Sequence, residues 1–294
     1  MLDYRIKTFL TVCETLNFTQ AASQLHITQP AVSQHIKYLE EFYNCSLLTF
    51  EGKKCVVTPH GQELLNMLHT MTNDIKHFKA KASQETFPIN FGTTLTIGEF
   101  VIPEPLSRLI HEDSKFDITM KVDNTQNILL ALDRGEIDFA IVEGFFSKER
   151  YDFLHYKKEP FIGIASNLSH LTNNNYSYEE LLDEILLVRE QGSGTREIIE
   201  NELKQHQIAL TDFKQKIELG NLNTIKQLVA KNLGISFIYE CAVKKEINEG
   251  KLKAIPLGEE AISHNFTFIW RKDSHFKSEY QQIFNILLEN ETHF

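Results

Sequence analysis

The sequence has no long hydrophobic run, few prolines and few glycines. No apolar stretch approaches the roughly 18 residues that a membrane-spanning helix needs. The N-terminal MLDYRIKTFL carries charges at Asp3, Arg5 and Lys7, where a signal peptide needs an apolar core. These absences predict a cytoplasmic protein with no membrane partner. With 13 Gly, 7 Pro and 42% hydrophobic residues in 294, the composition excludes a disordered or fibrous chain.

Metal-binding and catalytic motifs are also lacking. The four cysteines, Cys13, Cys45, Cys55 and Cys241, have no CxxC spacing, so we expect reduced thiols; a redox pair of Cys45 and Cys55 is the alternative. The histidines, His264 among them, show no paired-ligand spacing, which predicts that no metal is bound. Since no nucleophile with a base and no nucleotide-binding loop is visible, we expect no enzyme activity and no resident cofactor.

The chain is long enough for about two domains. Its N-terminal part shows helical periodicity. The first segment has an apolar face at three- and four-residue steps, ended by Asn17 and Phe18. Thr19 is the predicted N-cap of a second helix with small residues in its middle, and His26 and Ile27 form the predicted turn after it. The apolar positions of the two helices are Ile6, Phe9, Leu10, Cys13 and Leu16, then Ala21, Ala22 and Leu25.

A third helix has one apolar and one polar face. Thr28 is its predicted N-cap, and Pro30 stands in the first turn, where its missing N–H costs nothing. Val32, Ile36 and Leu39 form the apolar stripe, whereas the opposite face carries Gln29, Ser33, Gln34 and Lys37. Polar side chains near a helix N-terminus can bind base edges in the major groove.

Three short helices of this kind predict a helix-turn-helix with the third helix as the reader of DNA. Leu47 to Thr58 follows, with Gly52-Lys53-Lys54 as the tip of a predicted β-hairpin wing suited to phosphate contact. A generic three-helix bundle with a solvated polar face is the alternative. The apolar residues from Pro59 onward are then spaced by four and three residues: Leu64, Leu68, Met71, Ile75 and Phe78.

Such a heptad spacing predicts a long helix that dimerises, although the helix could instead pack on its own domain. The polar segment from Ala80 to Phe87 is the predicted hinge. Beyond Pro88, short apolar runs alternate with helical stretches, which predicts a mainly parallel sheet covered by helices. The predicted strands are 89–94, 118–122, 137–142, 161–165, 185–189, 216–219, 234–239 and 266–270; the predicted helices are 99–111, 127–134, 178–182, 195–207, 223–231 and 276–289.

The strands and helices fall into two similar halves with a cleft between them, the last strand and helix returning to the first half. The predicted domains are a DNA-binding unit at 1–60, a linker and dimerisation helix with hinge at 61–87, and a two-lobed α/β domain at 88–294. Lobe 1 spans about 88–160 and 265–294. Lobe 2 spans about 161–264.

The net charge of −10 argues against a nucleic-acid binder only when it is taken for the whole chain. Residues 1–85 hold eight basic and eight acidic side chains, which leaves 22 of the 30 basic and 32 of the 40 acidic residues for the remainder. The N-terminal part is therefore neutral, and its local lysines can contact DNA, particularly in a dimer.

The segment FTQAASQLHITQPAVSQHIKYLE, Phe18 to Glu40, closely resembles the helix-turn-helix of the LysR-type transcriptional regulators. The resemblance continues through VVTPHG at Val56 to Gly61 and covers essentially the entire chain. In the second part it rests on GTTLTIGEFVIPEPL, RGEIDFAIVEG, VREQGSGTRE and KNLGISFIYECAV. It implies a winged helix-turn-helix, a linker helix and a two-lobed effector-binding domain like the periplasmic binding proteins.

The resemblance implies a homodimer, or a homotetramer as a dimer of dimers, that binds an interrupted palindrome in promoter DNA. A small-molecule co-inducer would alter the bending or spacing of the DNA, and RNA polymerase is a further candidate partner. The chain has Tyr43-Asn44 where the family commonly has Leu-Gly, and Phe50 where the family usually has a wing arginine. The candidate DNA-binding residues are Thr19, Gln20, Thr28, Gln29, Pro30, Ala31, Ser33, Gln34, Lys37, Lys53 and Lys54.

Three strand-to-helix turns carry groups that suit an oxyanion or carboxylate, because helix N-termini present free N–H groups beside hydroxyls. The candidate effector-binding residues are Thr94, Thr96, Glu143, Ser193, Gly194, Thr195 and Asn221. An ordinary capped turn is the alternative at residues 192–195. Glu143 could accept a hydrogen bond, bind an amine or be a solvated surface acid, and Arg196 could neutralise the anion or pair with Glu200.

These features predict a sequence-specific DNA-binding transcriptional regulator. A small, anionic metabolite bound in the cleft between the lobes would favour one arrangement of the lobes and so change the geometry of the oligomer on DNA. A solute-binding protein shares the two-lobed architecture but has no use for the N-terminal helices. An enzyme is the remaining alternative, since such clefts also host catalysis.

Overall fold

The computed structural model describes residues 3–83, 87–112, 116–172, 175–257 and 262–288. The chain divides into two compact units, Met1–Ile75 and Lys76–Phe294, which are described separately. None of the described helices is long and apolar enough to cross a membrane.

The first unit is a three-helix bundle followed by a hairpin and a long helix. Its elements are α1 (Tyr4–Thr15), α2 (Phe18–Leu25), α3 (Gln29–Tyr43), β1 (Leu48–Glu51), β2 (Lys54–Val57) and the first part of α4 (Pro59–Ser83), which continues past Ile75. The predicted apolar faces meet in one core, in which Phe9, Val12, Val32, Ile36 and Leu39 are buried. The strands β1 and β2 pair antiparallel from Leu48↔Val57 to Glu51↔Lys54. The fold of this unit is therefore the predicted winged helix-turn-helix.

Local capping differs from the sequence prediction at α2. The N-cap is Asn17, whose side chain accepts hydrogen bonds from the N–H groups of Thr19 at 2.9 Å and Gln20 at 3.1 Å. The predicted cap Thr19 lies inside the helix, because Asn17 has the extended backbone that an N-cap needs. Thr28 caps α3 as predicted, accepting from the Ala31 N–H at 3.3 Å.

The departure from the family pattern at Tyr43-Asn44 has a structural explanation. Asn44 ends α3 in the left-handed conformation, with φ of 53°. Glycine is the usual residue there, and asparagine is the residue that best tolerates the same conformation in its place. The substitution therefore preserves the end of α3.

The long helix α4 corrects two predictions. It runs to Ser83, so the first half of the predicted hinge is helical; residues 84–86 lie outside the described residues, and Phe87 begins the next strand. The heptad positions also have different surroundings. Leu68 is buried and Leu64 partly buried against the core of the first unit, whereas Met71, Ile75 and Phe78 are 46%, 39% and 66% exposed. The predicted seam is thus divided between a core contact and an exposed stripe.

The second unit contains mixed sheets covered by helices. Its strands are β3 (Phe87–Thr94), β4 (Phe116–Asp123), β5 (Phe139–Val142), β6 (Tyr151–Ser166), β7 (Ile185–Arg189), β8 (Gln215–Leu219), β9 (Ser236–Tyr239), β10 (Leu252–Ile255) and β11 (Ser263–Arg271). Its helices are α5 (Leu95–Phe100), α6 (Pro103–Glu112), α7 (Thr125–Asp133), α8 (Gly194–Gln205), α9 (Leu222–Ala230), α10 (Lys244–Asn248) and α11 (Lys277–Leu288). A short 3-10 helix at Glu179–Leu181 stands where the sequence predicted an α-helix over 178–182.

Pairing divides these strands into two lobes. In lobe 1, β3 pairs parallel with β4 and β5, and β11 pairs antiparallel with β5. In lobe 2, β7 pairs parallel with β8, and both β9 and β10 pair antiparallel with the second half of β6. The late strand β11 therefore returns to the first lobe, as the sequence predicted.

The strand β6 is the main correction to the predicted sheet. It has 16 residues, whereas the sequence predicted a strand only over 161–165. Its first half pairs with β11 in lobe 1 and its second half with β9 and β10 in lobe 2. The sheet is therefore mixed, with more antiparallel pairing than predicted, and one strand is common to both lobes.

Two further elements differ from the prediction. The helix expected over 99–111 is two helices, α5 and α6, because the chain breaks at Val101 and Ile102 before Pro103, which begins α6. The segment after β9 contains α10 and β10, neither of which the sequence predicted. The main core of this unit joins aromatic residues such as Phe91, Phe139, Phe268 and Trp270.

Candidate functional site

The candidate DNA surface is formed by the start of α3 and the hairpin between β1 and β2. Gln29, Gln34 and Lys37 of α3 are exposed, and the Gln29 side-chain amide donates to the Ser33 hydroxyl at 3.0 Å. The turn at Gly52 and Lys53 joins the two strands, with Gly52 at φ of 64°. Thr19, Gln20, Thr28, Pro30 and Lys54 are also exposed, while Ala31 is partly buried.

A groove of about 310 Å³ brings several of these residues together. It is lined by Leu16, Asn17, Phe18, Gln29, Ser33, Phe50, Lys53 and Cys55. Gln29 and Ser33 of the reader helix therefore share a surface with Lys53 of the wing. Phe50 is 60% exposed, and its ring lies 5.8 Å from that of Phe18. Sequence reasoning did not place Phe50 or Phe18 on this surface, although Phe50 stood out as the departure from the family's arginine.

The candidate effector site lies where β3, β5 and β7 end and α5, α7 and α8 begin. Glu143 directly follows β5 and is buried, so it is not the solvated surface acid of the alternative interpretation. Its Oε1 accepts a hydrogen bond from the Thr195 hydroxyl of α8 at 2.9 Å. Since Glu143 belongs to lobe 1 and Thr195 to lobe 2, this hydrogen bond crosses between the lobes.

The lobes are also in close contact at Gly194. Its N–H donates to the Thr125 hydroxyl at 3.1 Å, and that hydroxyl donates to the Glu143 carbonyl oxygen at 3.1 Å. A Cβ at Gly194 would lie only 2.6 Å from the same carbonyl oxygen. Gly194 therefore serves close packing, and its N–H already has a partner.

Several buried polar atoms around Glu143 have no hydrogen-bond partner among the described residues. They are Thr94 Oγ1, Glu143 Oε2, Arg189 Nη1, Ser193 Oγ and the Tyr239 hydroxyl. Ser193 and Thr94 occupy N-cap positions, yet neither side chain makes a capping hydrogen bond. Each buried polar group without a partner costs roughly 1–3 kcal/mol of stability. Several such groups in one cluster therefore indicate a binding site for a polar ligand.

Several groups of this cluster act electrostatically on one another, with Glu143 at the centre. Burial raises the pKa of Glu143, whereas the hydrogen bond from Thr195, the nearby Thr96 hydroxyl and the charge of Arg189 lower it. The Thr96 hydroxyl is buried and has no hydrogen-bond partner among the described residues. Burial and the proximity of Glu143 raise the pKa of Tyr239 well above its ordinary value. Tyr239 was missed by sequence reasoning; its position at the end of β9 was the available signal.

Two predicted residues have other roles. Asn221 is exposed and caps α9, accepting from the Thr224 N–H at 2.9 Å, so the structure does not bring it into the cluster. Arg196 pairs with Glu200 at 2.7 Å and with Glu218 at 2.6 Å, as one of its two interpretations predicted. Arg189, a buried cation that the prediction omitted, donates to both oxygens of Glu190 at 2.7 and 2.8 Å.

A pocket of about 330 Å³ lies beside this cluster, between α7 and α8. Both lobes line it, with Thr125, Gln126 and Leu129 on one side and Gln191, Ser193 and Arg196 on the other. Its volume falls within the roughly 300–1,000 Å³ of small-molecule sites. No group of three or more His, Cys, Asp or Glu side chains suited to a metal ion occurs in the parts of the chain that the structure describes.

Comparisons with known proteins match both parts of the chain. The family model described as "Bacterial regulatory helix-turn-helix protein, lysR family" matches residues 4–62, and "LysR substrate binding domain" matches residues 82–291. The HTH-type transcriptional regulator YeiE of Escherichia coli strain K12 is 27% identical over 255 residues, which cover 86% of each chain.

Solved structures share the fold. A mutant OxyR of Corynebacterium glutamicum with bound H2O2 has a TM-score of 0.62 and 23% identity, covering 97% of this chain and 91% of that one. The regulatory domain of Synechocystis CcmR in complex with 2-PG has a TM-score of 0.63 and 23% identity, covering 69% of this chain and 98% of that domain. With both of its domains matched, the chain belongs to the LysR family of transcriptional regulators, with a helix-turn-helix DNA-binding domain and an effector-binding domain.

Proposed function

We propose that this regulator responds to a small anionic metabolite bound between the two lobes, at the cluster around Glu143. The observation that carries the proposal is the set of buried, unpartnered polar atoms that both lobes contribute, with Thr94 from lobe 1 and Arg189 and Ser193 from lobe 2. Hydroxyl and guanidinium donors suit an oxyanion or carboxylate. The CcmR regulatory domain, which shares the fold, was solved with 2-PG, an anionic ligand.

The proposed mechanism is linkage between effector and DNA. Hydrogen bonds such as Thr195 to Glu143 and Asn223 to Glu99 join the lobes. A ligand that contacts both lobes favours one arrangement of them, and this preference changes the geometry of the oligomer on DNA. The protein works in the cytoplasm without catalysis or a resident cofactor, and RNA polymerase is the further partner at the promoter.

We propose that α3 and the wing bind promoter DNA. In this proposal Gln29, Ser33 and Gln34 bind base edges in the major groove, while Lys37, Lys53 and Lys54 contact phosphates; the exposure of Gln29, Gln34 and the lysines supports it. Thr19, Gln20, Thr28, Pro30 and Ala31 lie at the starts of α2 and α3, where the positive ends of the helix dipoles would face phosphates. Replacing Gln34 by Ala should relax sequence preference in a binding-site selection while leaving the oligomeric state unchanged.

The cleft is tested by calorimetric titration of the full-length protein with small oxyanions such as sulfate, phosphate and acetate. We expect the Thr195→Val variant to lose at least tenfold in affinity, because Glu143 then loses the hydroxyl that holds its Oε1. Thr224→Val is the matched control, since Thr224 is exposed at the start of α9. Full affinity in the Thr195 variant would argue against this site.

A further inference from the structure

The carboxyl of Glu143 conflicts with an anion site if it is ionised. This inference rests on the proposed function, because it concerns how the same cluster binds an anion. Glu143 is buried, its Oε1 is held by the Thr195 hydroxyl, and its Oε2 has no partner among the described residues. An oxyanion within hydrogen-bond distance of Oε2 would bring two negative charges together in a site with little water.

The positive charge near Glu143 does not remove this conflict. Arg189 is the cation that acts on Glu143, and two of its nitrogens already bind the Glu190 carboxylate. Glu190 itself acts on Glu143 with the opposite sign. Tyr239 and Cys241 also lie near Glu143; burial raises the pKa of both, so they stay neutral at physiological pH. Glu197, which lines the adjacent pocket, is a further titratable group, and burial raises its pKa.

We propose that Glu143 binds the effector as a neutral acid, its Oε2–H donating to an oxygen of the anion while Oε1 still accepts from Thr195. One proton is then shared between Glu143 and the anion. Where Glu143 is ionised in the free protein, this proton comes from solvent and binding is written as protein plus anion plus one proton; where Glu143 is already neutral, its own proton is used and none is taken up. The ligand class is an ionised oxyanion or carboxylate, and no hydroxyl or amine on the ligand is required.

This assignment changes the role of Glu143 from acceptor to donor. The two interpretations predict opposite dependences on pH. An ionised Glu143 that binds a ligand amine would hold a cation and favour higher pH, whereas a neutral Glu143 that donates to an anion favours lower pH. Burial, which already raises the pKa of Glu143, favours the neutral form before any ligand binds.

The test is calorimetric titration of the full-length protein with sodium sulfate between about pH 5.5 and 8.5. Sulfate stays fully ionised throughout this range, so any proton linkage belongs to the protein. We expect the affinity to rise by about tenfold for each unit of pH decrease above the pKa of Glu143 in the free protein, and to level off below it. Titrations in buffers of different ionisation enthalpy should show uptake of about one proton per sulfate above that pKa, and none below it.

The Glu143→Gln variant separates this role from a structural one. Its amide retains a donor for the anion and an acceptor for Thr195, so we expect sulfate affinity near the low-pH value of the original protein, with no pH dependence. His264→Gln is the control for histidine titration, because the His264 ring lies 6.4 Å from that of Phe161, which lies 5.2 Å from that of Tyr239. This variant should keep the pH dependence. A pH dependence that persists in Glu143→Gln would overturn the assignment.

Sulfate affinity that rises with pH would overturn the neutral acid and leave the anion site intact. Affinity that is the same across the whole pH range supports the neutral acid only if Glu143→Gln binds sulfate equally tightly. Tighter binding by that variant would show that the carboxyl is ionised, and would overturn the assignment. Failure of sulfate, phosphate and acetate to bind at any pH would overturn both this inference and the proposed function.

Discussion

Phe50 stands on the wing where the family usually has an arginine, and its ring borders the groove that contains Gln29, Ser33 and Lys53. A positive charge at this position would face the same surface as the reader helix. We therefore expect Phe50→Arg to bind promoter DNA about three- to tenfold more tightly at low salt, and to steepen the slope of log K against log[salt] by about one unit.

Fluorescence anisotropy across a salt series measures both quantities. Thr49→Arg is the matched control, because Thr49 is an exposed neighbour on β1 whose side chain points to the opposite face of the strand. An equal increase in DNA affinity for the two variants would mean that the added charge acts by long-range electrostatic attraction, and that residue 50 does not contact the DNA.

The N-cap of α2 is Asn17, whereas the sequence prediction was Thr19. Both Asn17 and Thr19 are good capping residues, and the sequence alone favoured Thr19. We expect Asn17→Ala to lower the free energy of unfolding by about 1 kcal/mol, because the N–H groups of Thr19 and Gln20 lose their acceptor. Thr19→Ala should change it by less than about 0.5 kcal/mol. Chemical denaturation of the two variants, compared at equal protein concentration, distinguishes the two caps.

Among the elements, α4 presents the exposed apolar stripe of Met71, Ile75 and Phe78. Membership of the family and the heptad spacing both favour dimerisation here, since exposed apolar residues on one helix face stabilise contact with a second copy. We expect a Met71→Glu, Phe78→Glu double variant to shift from the size of an oligomer to that of a monomer in sedimentation experiments.

Thr72→Glu provides the control for added charge, because Thr72 is an exposed residue of the same helix outside the apolar stripe. An unchanged size in the double variant would place the dimer contact elsewhere. Leu68 is unsuitable for this test because it is buried in the core of the first unit, so its replacement would unfold that unit before it altered an interface.

How far the sequence predicts an element depends on whether the determining contacts are local. The caps and apolar stripes of α1 to α3 come from spacings of three and four residues, and the structure confirms those helices. The strand β6 depends instead on partners about a hundred residues away in β11. Its first half contains Lys157, Lys158 and Pro160, which have low strand propensity, so pairing rather than composition makes it a strand.

In the candidate effector site too, some residues could be predicted from the local sequence, whereas others depend on long-range packing. Turns between strands and helices identified Thr94, Glu143 and Ser193, because the chain places polar groups there at short range. Arg189 and Tyr239 were not predicted, since an arginine inside a hydrophobic strand and a tyrosine at a strand end are ordinary in sequence. Their relation to Glu143 exists only after the lobes pack together.

At the scale of the whole effector-binding domain, Gly194 controls how closely the lobes approach. A Cβ there would lie 2.6 Å from the Glu143 carbonyl oxygen and 2.7 Å from the Thr125 hydroxyl. We expect Gly194→Ala to force the lobes apart, lower the free energy of unfolding by about 1–3 kcal/mol and weaken anion binding. Thermal unfolding and calorimetric titration measure the two effects.

Gly220→Ala is the appropriate control, because the nearest atom to its added Cβ would be 3.8 Å away, an ordinary contact. It should leave both stability and anion affinity close to those of the original protein. If Gly194→Ala behaved in the same way, the lobes would tolerate a wider gap, and their close contact would not be needed for binding.

The strand β6 belongs to both lobes without interruption. The lobes are therefore not independent domains joined by a flexible linker. Backbone hydrogen bonds hold β6 to β11 in lobe 1 and to β9 and β10 in lobe 2, so we expect motion of one lobe relative to the other to require bending or twisting of β6. A ligand bound at the proposed site would then select among a limited set of lobe orientations, and would not have to order two independent units.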